Sequence, residues 1–189
     1  MKIILGTASK HRKKIFEEMG YRDFEVMAAD IDEKAIRFED PEKLTLALAN
    51  AKADALVQRI KEPALLITAD QVVSWNGEIR EKPESEEQAQ EYFRTYHMAP
   101  AIVVNGIVVT NTATGKRVSG GDRNTVVFRQ IPSEAMEALI QDPATYTYAG
   151  GFSLFTPALK PFIERIEGDV DSIEGLPRQL TQRLLGEAE

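Results

Sequence analysis

The run "LLITADQVVSWNGEIREKP", residues 65–83, sets Asp70 partway along what reads as a buried strand. An ionised carboxylate moved into a low-dielectric core is costly unless a cation or hydrogen bonds compensate. Asp70 therefore either ends the strand and points into water, as most acids do, or it has a partner. A second anomaly is "SKHRKK", where Lys10, Arg12, Lys13 and Lys14 open a predicted helix. Cations at a helix start face the positive end of its dipole, while the exposed N–H groups there favour a phosphate. The run is thus either a solvated basic face or part of a phosphate site. "DIDEKA" supplies Asp30, Asp32 and Glu33, which either form an ordinary acidic turn or offer hard oxygen ligands to a divalent cation. Lys52 falls on a second predicted helix, and Lys82 precedes Pro83, which biases it toward extended backbone. Each lysine by itself reads as a surface residue. Together, cations for a polyphosphate, carboxylates for Mg²⁺ or water, and a helix start as anion cradle suit one reaction class, chemistry at phosphorus. No Gly-rich P-loop or dinucleotide fingerprint accompanies them.

The elements that must position these residues alternate strand and helix. "KIIL" and "GTASKHRKKIFEEMG" read as strand, loop and helix, with Ser9 as cap, Ile15 and Phe16 on the buried face, and Gly20 at the end. "DFEVMAADI" is a second strand candidate, and "DPEKLTLALANAKADALVQRI" is a helix with Asp40 as N-cap and Pro41 in its first turn. Asn76-Gly77 gives a tight turn after the Asp70 strand. "ESEEQAQEYFRTY" is a polar helix with an apolar stripe of Ala89, Tyr92, Phe93 and Tyr96. β-rich segments follow, "AIVVNGIVVTNTATGKRV" and "NTVVFRQI", then a helix over "SEAMEALIQ", a strand "FIERIEG" and a last helix that Pro177 starts. By composition Asn105-Gly106 reads as a hairpin turn. Without repeats, low-complexity stretches or linkers, residues 1–189 are expected to form one α/β domain, a mixed sheet with helices packed on it.

Composition bounds the rest. A chain of 189 residues suits a real core. It has no cysteine, which removes disulfides and thiolate metal sites and fits a reducing compartment. Only two histidines, His11 and His97, are present, too few for a histidine-rich metal site. No segment approaches the roughly 18 apolar residues of a membrane span, so a soluble cytoplasmic protein is expected. The net charge of −7 argues against broad nonspecific binding to nucleic acid.

Over almost its whole length the chain resembles the Maf family of nucleoside triphosphate pyrophosphatases. The family's opening Leu-Ala-Ser-x-Ser-Pro-Arg-Arg is similar to "LGTASKHR", which keeps Leu5, Ser9 and Arg12 but has Lys10 for the proline and His11 for the first arginine. An Asp-Glu motif matches Asp32 and Glu33, Ala-x-x-Lys-Ala matches "ANAKA" at Lys52, Asp-x-Val-Val matches "DQVV" at Asp70, and Lys-Pro matches Lys82 and Pro83. "IEGLP" resembles Val-x-Gly-Leu-Pro. The resemblance implies an elongated, bent mixed sheet flanked by helices, related to the inosine triphosphate pyrophosphatase fold. It also implies hydrolysis of a nucleoside triphosphate to monophosphate and pyrophosphate with Mg²⁺ or Mn²⁺, and a homodimer. Asp70 matches the position of the general base, with metal ligation by Asp70 and Glu33 as the other role of these carboxylates. Ser9, Arg12, Lys52 and Lys82 would bind the phosphates.

Two branches of the family differ in base preference. Gln71 and "AGGF" at 149–152 look like the branch acting on 7-methyl-GTP, whereas the branch preferring dTTP and UTP has Thr after the aspartate. His11 and Phe155 match neither, and Phe155 either stacks on a cationic purine or belongs to the core. The family's His-x-Val-x-Thr-Gly becomes "AIVVNG", so Ala101 replaces a histidine. In that register Asn105-Gly106 lies within a long strand and the glycine marks a bulge, against the hairpin. The 7-methyl-GTP preference is favoured over dTTP and UTP. The other readings are a non-catalytic nucleotide-binding regulator of cell division and an enzyme removing deaminated purine triphosphates.

Overall fold

The computed structural model describes residues 1–189. Its N-terminal apolar run is strand β1 (Lys2–Gly6), leading into helix α1 (Lys10–Glu18). Ser9 caps α1 by accepting the Arg12 amide on Oγ at 3.3 Å, and Gly20 follows at φ 96°, a left-handed conformation open to glycine. Helix α2 (Pro41–Val57) begins at Asp40, whose carboxylate accepts the Glu42 and Lys43 amides. The remaining elements are β2 (Glu25–Val26), β3 (Ala64–Trp75), β4 (Glu78–Arg80), α3 (Glu86–Thr95), β5 (Ala101–Asn111), β6 (Arg117–Phe128), α4 (Ser133–Gln141), β7 (Ile163–Glu167), α5 (Val170–Ile173) and α6 (Arg178–Ala188).

The strands form one seven-stranded sheet in the order β2-β1-β3-β5-β6-β7, with β4 paired to β3. β1 runs parallel to β2 and β3, while β3–β4 and β6–β7 are antiparallel. The sheet is therefore mixed, as expected. Asn76 and Gly77, at φ 48° and 83°, make the tight turn between β3 and β4, the pair of left-handed residues that a two-residue hairpin loop favours.

Two compact units share the chain. The first comprises residues 1–71, 105–122 and 174–189. Its central strands are buried on both faces, as parallel strands covered by helices are. Leu65, Ile67, Ala69, Ile107 and Val109 pack with Ile15 and Phe16 of α1 and Leu184 of α6, while Leu66 and Val108 pack with Ala49, Ala53 and Leu56 of α2. The period-two alternation of β3 thus sends odd positions toward α1 and α6 and even positions toward α2. The second unit comprises residues 72–104 and 123–173. The stripe Ala89, Tyr92, Phe93 and Tyr96 forms its core with Phe128 and Phe152.

One expectation is corrected, and one alternative is decided. "DFEVMAADI" yields only the two-residue β2 at the sheet edge, where a short, charged strand limits pairing with other chains. For Asn105-Gly106 the strand interior implied by the resemblance holds and the hairpin read from composition does not: both residues lie inside β5. The demand on Gly106 is close approach, since a Cβ there would stand 2.6 Å from the Thr45 carbonyl carbon and 2.7 Å from the Leu46 nitrogen. The missing side chain lets the backbone of α2 lie directly on β5.

Candidate active site

Even positions of β3 face α2, and that periodicity places the acid. Thr68 donates to the Ala49 carbonyl at 2.8 Å; one step further along both elements, Asp70 meets Lys52. Asp70 is only 7% exposed, so the strand does not end there and the carboxylate does not point into water. Its Oδ1 lies 2.5 Å from Lys52 Nζ, and the same ammonium lies 2.9 Å from Oε1 of the half-buried Glu33. Glu33 opens a short 3-10 turn, Glu33–Ala35, whose cap is Asp32, with a carboxylate oxygen accepting the Lys34 amide at 3.1 Å. The acidic run thus divides its labour: Asp32 shapes the turn, Glu33 reaches the ammonium, and Asp30 is exposed.

The basic run divides as well. Lys10, Lys13 and Lys14 are exposed, and Lys13 and Lys14 approach Glu17 and Glu18 one turn on at 3.7 and 3.9 Å. They are the solvated face. Arg12 alone turns inward. Its Nε donates to the Gly175 carbonyl and its Nη1 to the Ala69 carbonyl, both at 2.9 Å, which ties the guanidinium to the residue preceding Asp70.

Burial is the largest influence on Asp70 and raises its pKa above the ordinary aspartate value; Lys52 and then Arg12 oppose it, while Glu33 adds to it. Burial likewise lowers Arg12, against the attraction of Asp70 and Glu33. The cluster therefore holds an anion whose proton affinity is increased, next to two cations that keep it ionisable. Such a carboxylate is suited to accept a proton from water. The donor set also fits a hard divalent cation: Mg²⁺ binds through one or two carboxylates and takes further oxygens from substrate phosphates, and Asp70 and Glu33 already converge on one positive charge.

Of the other sequence-derived residues, His11 Nδ1 stands 2.7 Å from Glu174 Oε2, and Gln71 donates from Nε2 to Asn105 Oδ1 at 3.1 Å. Ser9, His11, Arg12, Glu33, Lys52, Asp70 and Gln71 all belong to the first unit, Lys82 and Phe155 to the second. Lys82 is exposed beside buried Pro83. The "AGGF" loop is fixed there by Gly150, which donates its amide to the Glu81 carbonyl at 3.0 Å and accepts from the Tyr96 hydroxyl at 2.7 Å. Phe155 is 53% exposed, which overturns its reading as a core residue.

Sequence reasoning missed Glu174, Asn105 and Arg80. Glu174 occupies the unspecified position of the Val-x-Gly-Leu-Pro pattern, and only its buried acid type could have drawn notice. Arg80 is 1% exposed, with its guanidinium 3.8 Å from the centre of the Trp75 ring; the aromatic stripe of α3 was its one signal.

Residues 2–188 match the family described as Maf-like protein. The chain belongs to the Maf family. It is 43% identical over 192 residues to a 7-methyl-GTP pyrophosphatase of Dictyostelium discoideum, covering 98% of this chain and 96% of that protein. It is 33% identical to a nucleoside triphosphate pyrophosphatase of Chlamydia muridarum, covering 98% and 93%. It is also 33% identical to a dTTP/UTP pyrophosphatase of Clostridium perfringens, covering 94% and 92%. Among solved structures, a dITP/XTP pyrophosphatase of Mycobacterium abscessus aligns with a TM-score of 0.48 at 10% identity, over 100% of this chain and 95% of that one. No helix of this Maf protein is long and apolar enough to cross a membrane.

Proposed function

We infer that this Maf protein hydrolyses a nucleoside triphosphate to the monophosphate and pyrophosphate, with 7-methyl-GTP as the preferred substrate over dTTP and UTP. The observation that carries the reading is the buried cluster in which Lys52 bridges Asp70 and Glu33 while Arg12 is tied beside Asp70. A protein that only binds nucleotide has little use for a buried anion of raised proton affinity.

Water attacks the α-phosphorus in line with pyrophosphate as the leaving group. Asp70, whose Oδ1 Lys52 holds in the unliganded site, takes the proton of that water once Lys52 has turned to the phosphates. Arg12 offers its remaining guanidinium N–H groups to phosphate oxygens, the bidentate contact for which arginine is suited. Lys52 acts as a point charge on the phosphates, and the Ser9 hydroxyl, an acceptor in the α1 cap, retains its proton for a phosphate oxygen. Asp70 and Glu33 are the residues that would hold Mg²⁺ or Mn²⁺, and the cation would neutralise charge between the phosphates.

Two observations support the substrate preference: the Gln71 that the 7-methyl-GTP branch shares, and the 43% identity to the Dictyostelium enzyme. The family resemblance further supports a cytoplasmic homodimer acting on free nucleotide, and light scattering of the purified protein tests the oligomer. Pyrophosphate release with Mg²⁺ across dTTP, UTP, CTP, GTP, 7-methyl-GTP and inosine triphosphate tests the function. Release that is fastest from 7-methyl-GTP and is lost in Asp70→Asn is expected. Binding without release from any of them would make the protein a nucleotide-dependent regulator instead.

A further inference from the structure

We propose that Glu174 is a positioning residue for phosphate binding: its carboxylate holds His11, and with it the first turn of α1, so that Arg12 meets the triphosphate in one orientation. The inference rests on the function proposed above. Two neighbours on α1 engage two neighbours in the loop before α6. His11 Nδ1 lies 2.7 Å from Glu174 Oε2, and Arg12 Nε donates to the Gly175 carbonyl at 2.9 Å. The loop is pressed against the guanidinium, since a Cβ on Gly175 would stand 3.2 Å from Arg12 Nε, and the residue sits at φ 109°. A change in the Glu174 tie therefore displaces the carbonyl that sets the plane of Arg12.

Stability does not account for the acid. The Glu174 side chain is 3% exposed, and a buried ion pair is commonly no more stabilising than well-packed apolar residues of the same volume. An apolar residue would anchor the loop beside Leu176, itself fully buried in the α1 and α6 core. What a carboxylate adds is a directional, charge-assisted hydrogen bond to His11. Two of the five N–H donors that an arginine carries are committed here to the carbonyls of Gly175 and Ala69. These two bonds fix the fork, and the fixed fork gives the remaining donors a defined direction toward phosphate. His11 itself replaces an arginine of the family pattern. The imidazole that stands in its place reaches Glu174.

The test compares Glu174→Ala, Glu174→Gln, Arg12→Ala and the Arg12→Ala/Glu174→Ala double variant. Tripolyphosphate binding with Mg²⁺ is measured by calorimetry, and pyrophosphate release gives KM and kcat. In Glu174→Ala, Kd for tripolyphosphate and KM for 7-methyl-GTP rise about tenfold while kcat falls much less, the signature of lost uniform binding. Glu174→Gln, which keeps an acceptor for Nδ1–H, stays within about threefold of the parent, and in the Arg12→Ala background the Glu174 change adds nothing, because the two act as one unit. Should Glu174→Ala fail to fold, His11→Ala cuts the same tie from the other side and is expected to raise Kd equally. An unchanged Kd in the tie-breaking variant, equal damage from Gln and Ala, or full additivity with Arg12→Ala would each overturn the proposal. A parent protein that releases no pyrophosphate from any nucleotide refutes the proposed function alone, because tripolyphosphate binding still decides the role of Glu174.

Discussion

Lys52 is the residue whose removal tests the logic of the cluster most directly. Its ammonium and the Asp70 carboxylate are 12% and 10% exposed and 2.5 Å apart, so Lys52→Met leaves a buried carboxylate without its nearest cation. Breaking a buried pair in this way costs about 3–5 kcal/mol. Because Arg12 still attracts Asp70 and Glu33 is 44% exposed, we expect the lower end, about 3 kcal/mol. For a chain of this length that corresponds to a loss of about 6–12 °C in Tm. The loss must also depend on pH. Asp70 has a folded-state pKa above its unfolded value, so its contribution to stability is fully present below the unfolded value and is lost as pH rises through the folded one. Without Lys52 the folded value rises further, so the deficit of the variant is largest at pH 8 and shrinks toward pH 5. Thermal unfolding of parent and variant across that range measures it, and pyrophosphate release measures the accompanying fall in kcat/KM, about 10²–10³-fold. Adding Asp70→Asn to Lys52→Met removes the stranded charge and restores most of the stability. A Tm difference that is independent of pH, or that the added Asp70→Asn leaves unchanged, would refute the reasoning.

Asp70→Asn alone is expected to abolish pyrophosphate release and yet to raise Tm at pH 8, since burial opposes the charge more than its partners favour it; a lowered Tm would show that Lys52 outweighs burial. Gly106→Ala forces a Cβ to 2.6 Å from the backbone of α2 and should cost about 3 kcal/mol or more, with activity falling because Lys52 rides on that helix; urea unfolding measures the first, and unchanged unfolding would contradict the close approach. Gln71→Thr introduces the residue of the dTTP and UTP branch and is expected to lower the kcat/KM ratio of 7-methyl-GTP to dTTP by about tenfold or more. An unchanged ratio would remove Gln71 from base recognition.

Most of the fold was legible because it is written in local patterns. Ser9, Asp40, Gly20 and the Asn76-Gly77 pair announce helix and hairpin ends through their own backbone and side-chain chemistry. The stripe at Ala89, Tyr92, Phe93 and Tyr96 gives its face by spacing alone. What local composition misread, and the resemblance put right, was non-local. Gly106 serves a helix that arrives from residues 45 and 46, and no window around Asn105-Gly106 contains that helix. At the site, Asp70 and the basic run were flagged locally, since acids in apolar runs and cations at helix starts are anomalous, whereas Glu33 and Lys52 looked ordinary and only the family resemblance singled them out. The sorting of Arg12 from Lys10, Lys13 and Lys14 came from the resemblance and not from local pattern, because it depends on carbonyls of Ala69 and Gly175 far away in the chain. Glu174 was hidden for the same reason: its partner His11 lies at the opposite end of the sequence.

The arrangement also says how the site stays stable without substrate. Asp70 and Glu33 share Lys52, so the ammonium stands where a metal–phosphate assembly would bring positive charge and takes up part of the electrostatic cost of gathering two acids. Phosphate binding as proposed would redirect Lys52 from carboxylate to phosphate, exchanging one charge-assisted contact for another. Arg12 is held differently, by backbone carbonyls that do not compete for its charge. One cation is thus mobile between anions and the other is fixed. Lysine and arginine suit those two tasks respectively, a flexible point charge and a rigid fork, so exchanging them, Lys52→Arg with Arg12→Lys, should preserve the charge of the cluster and still lose turnover.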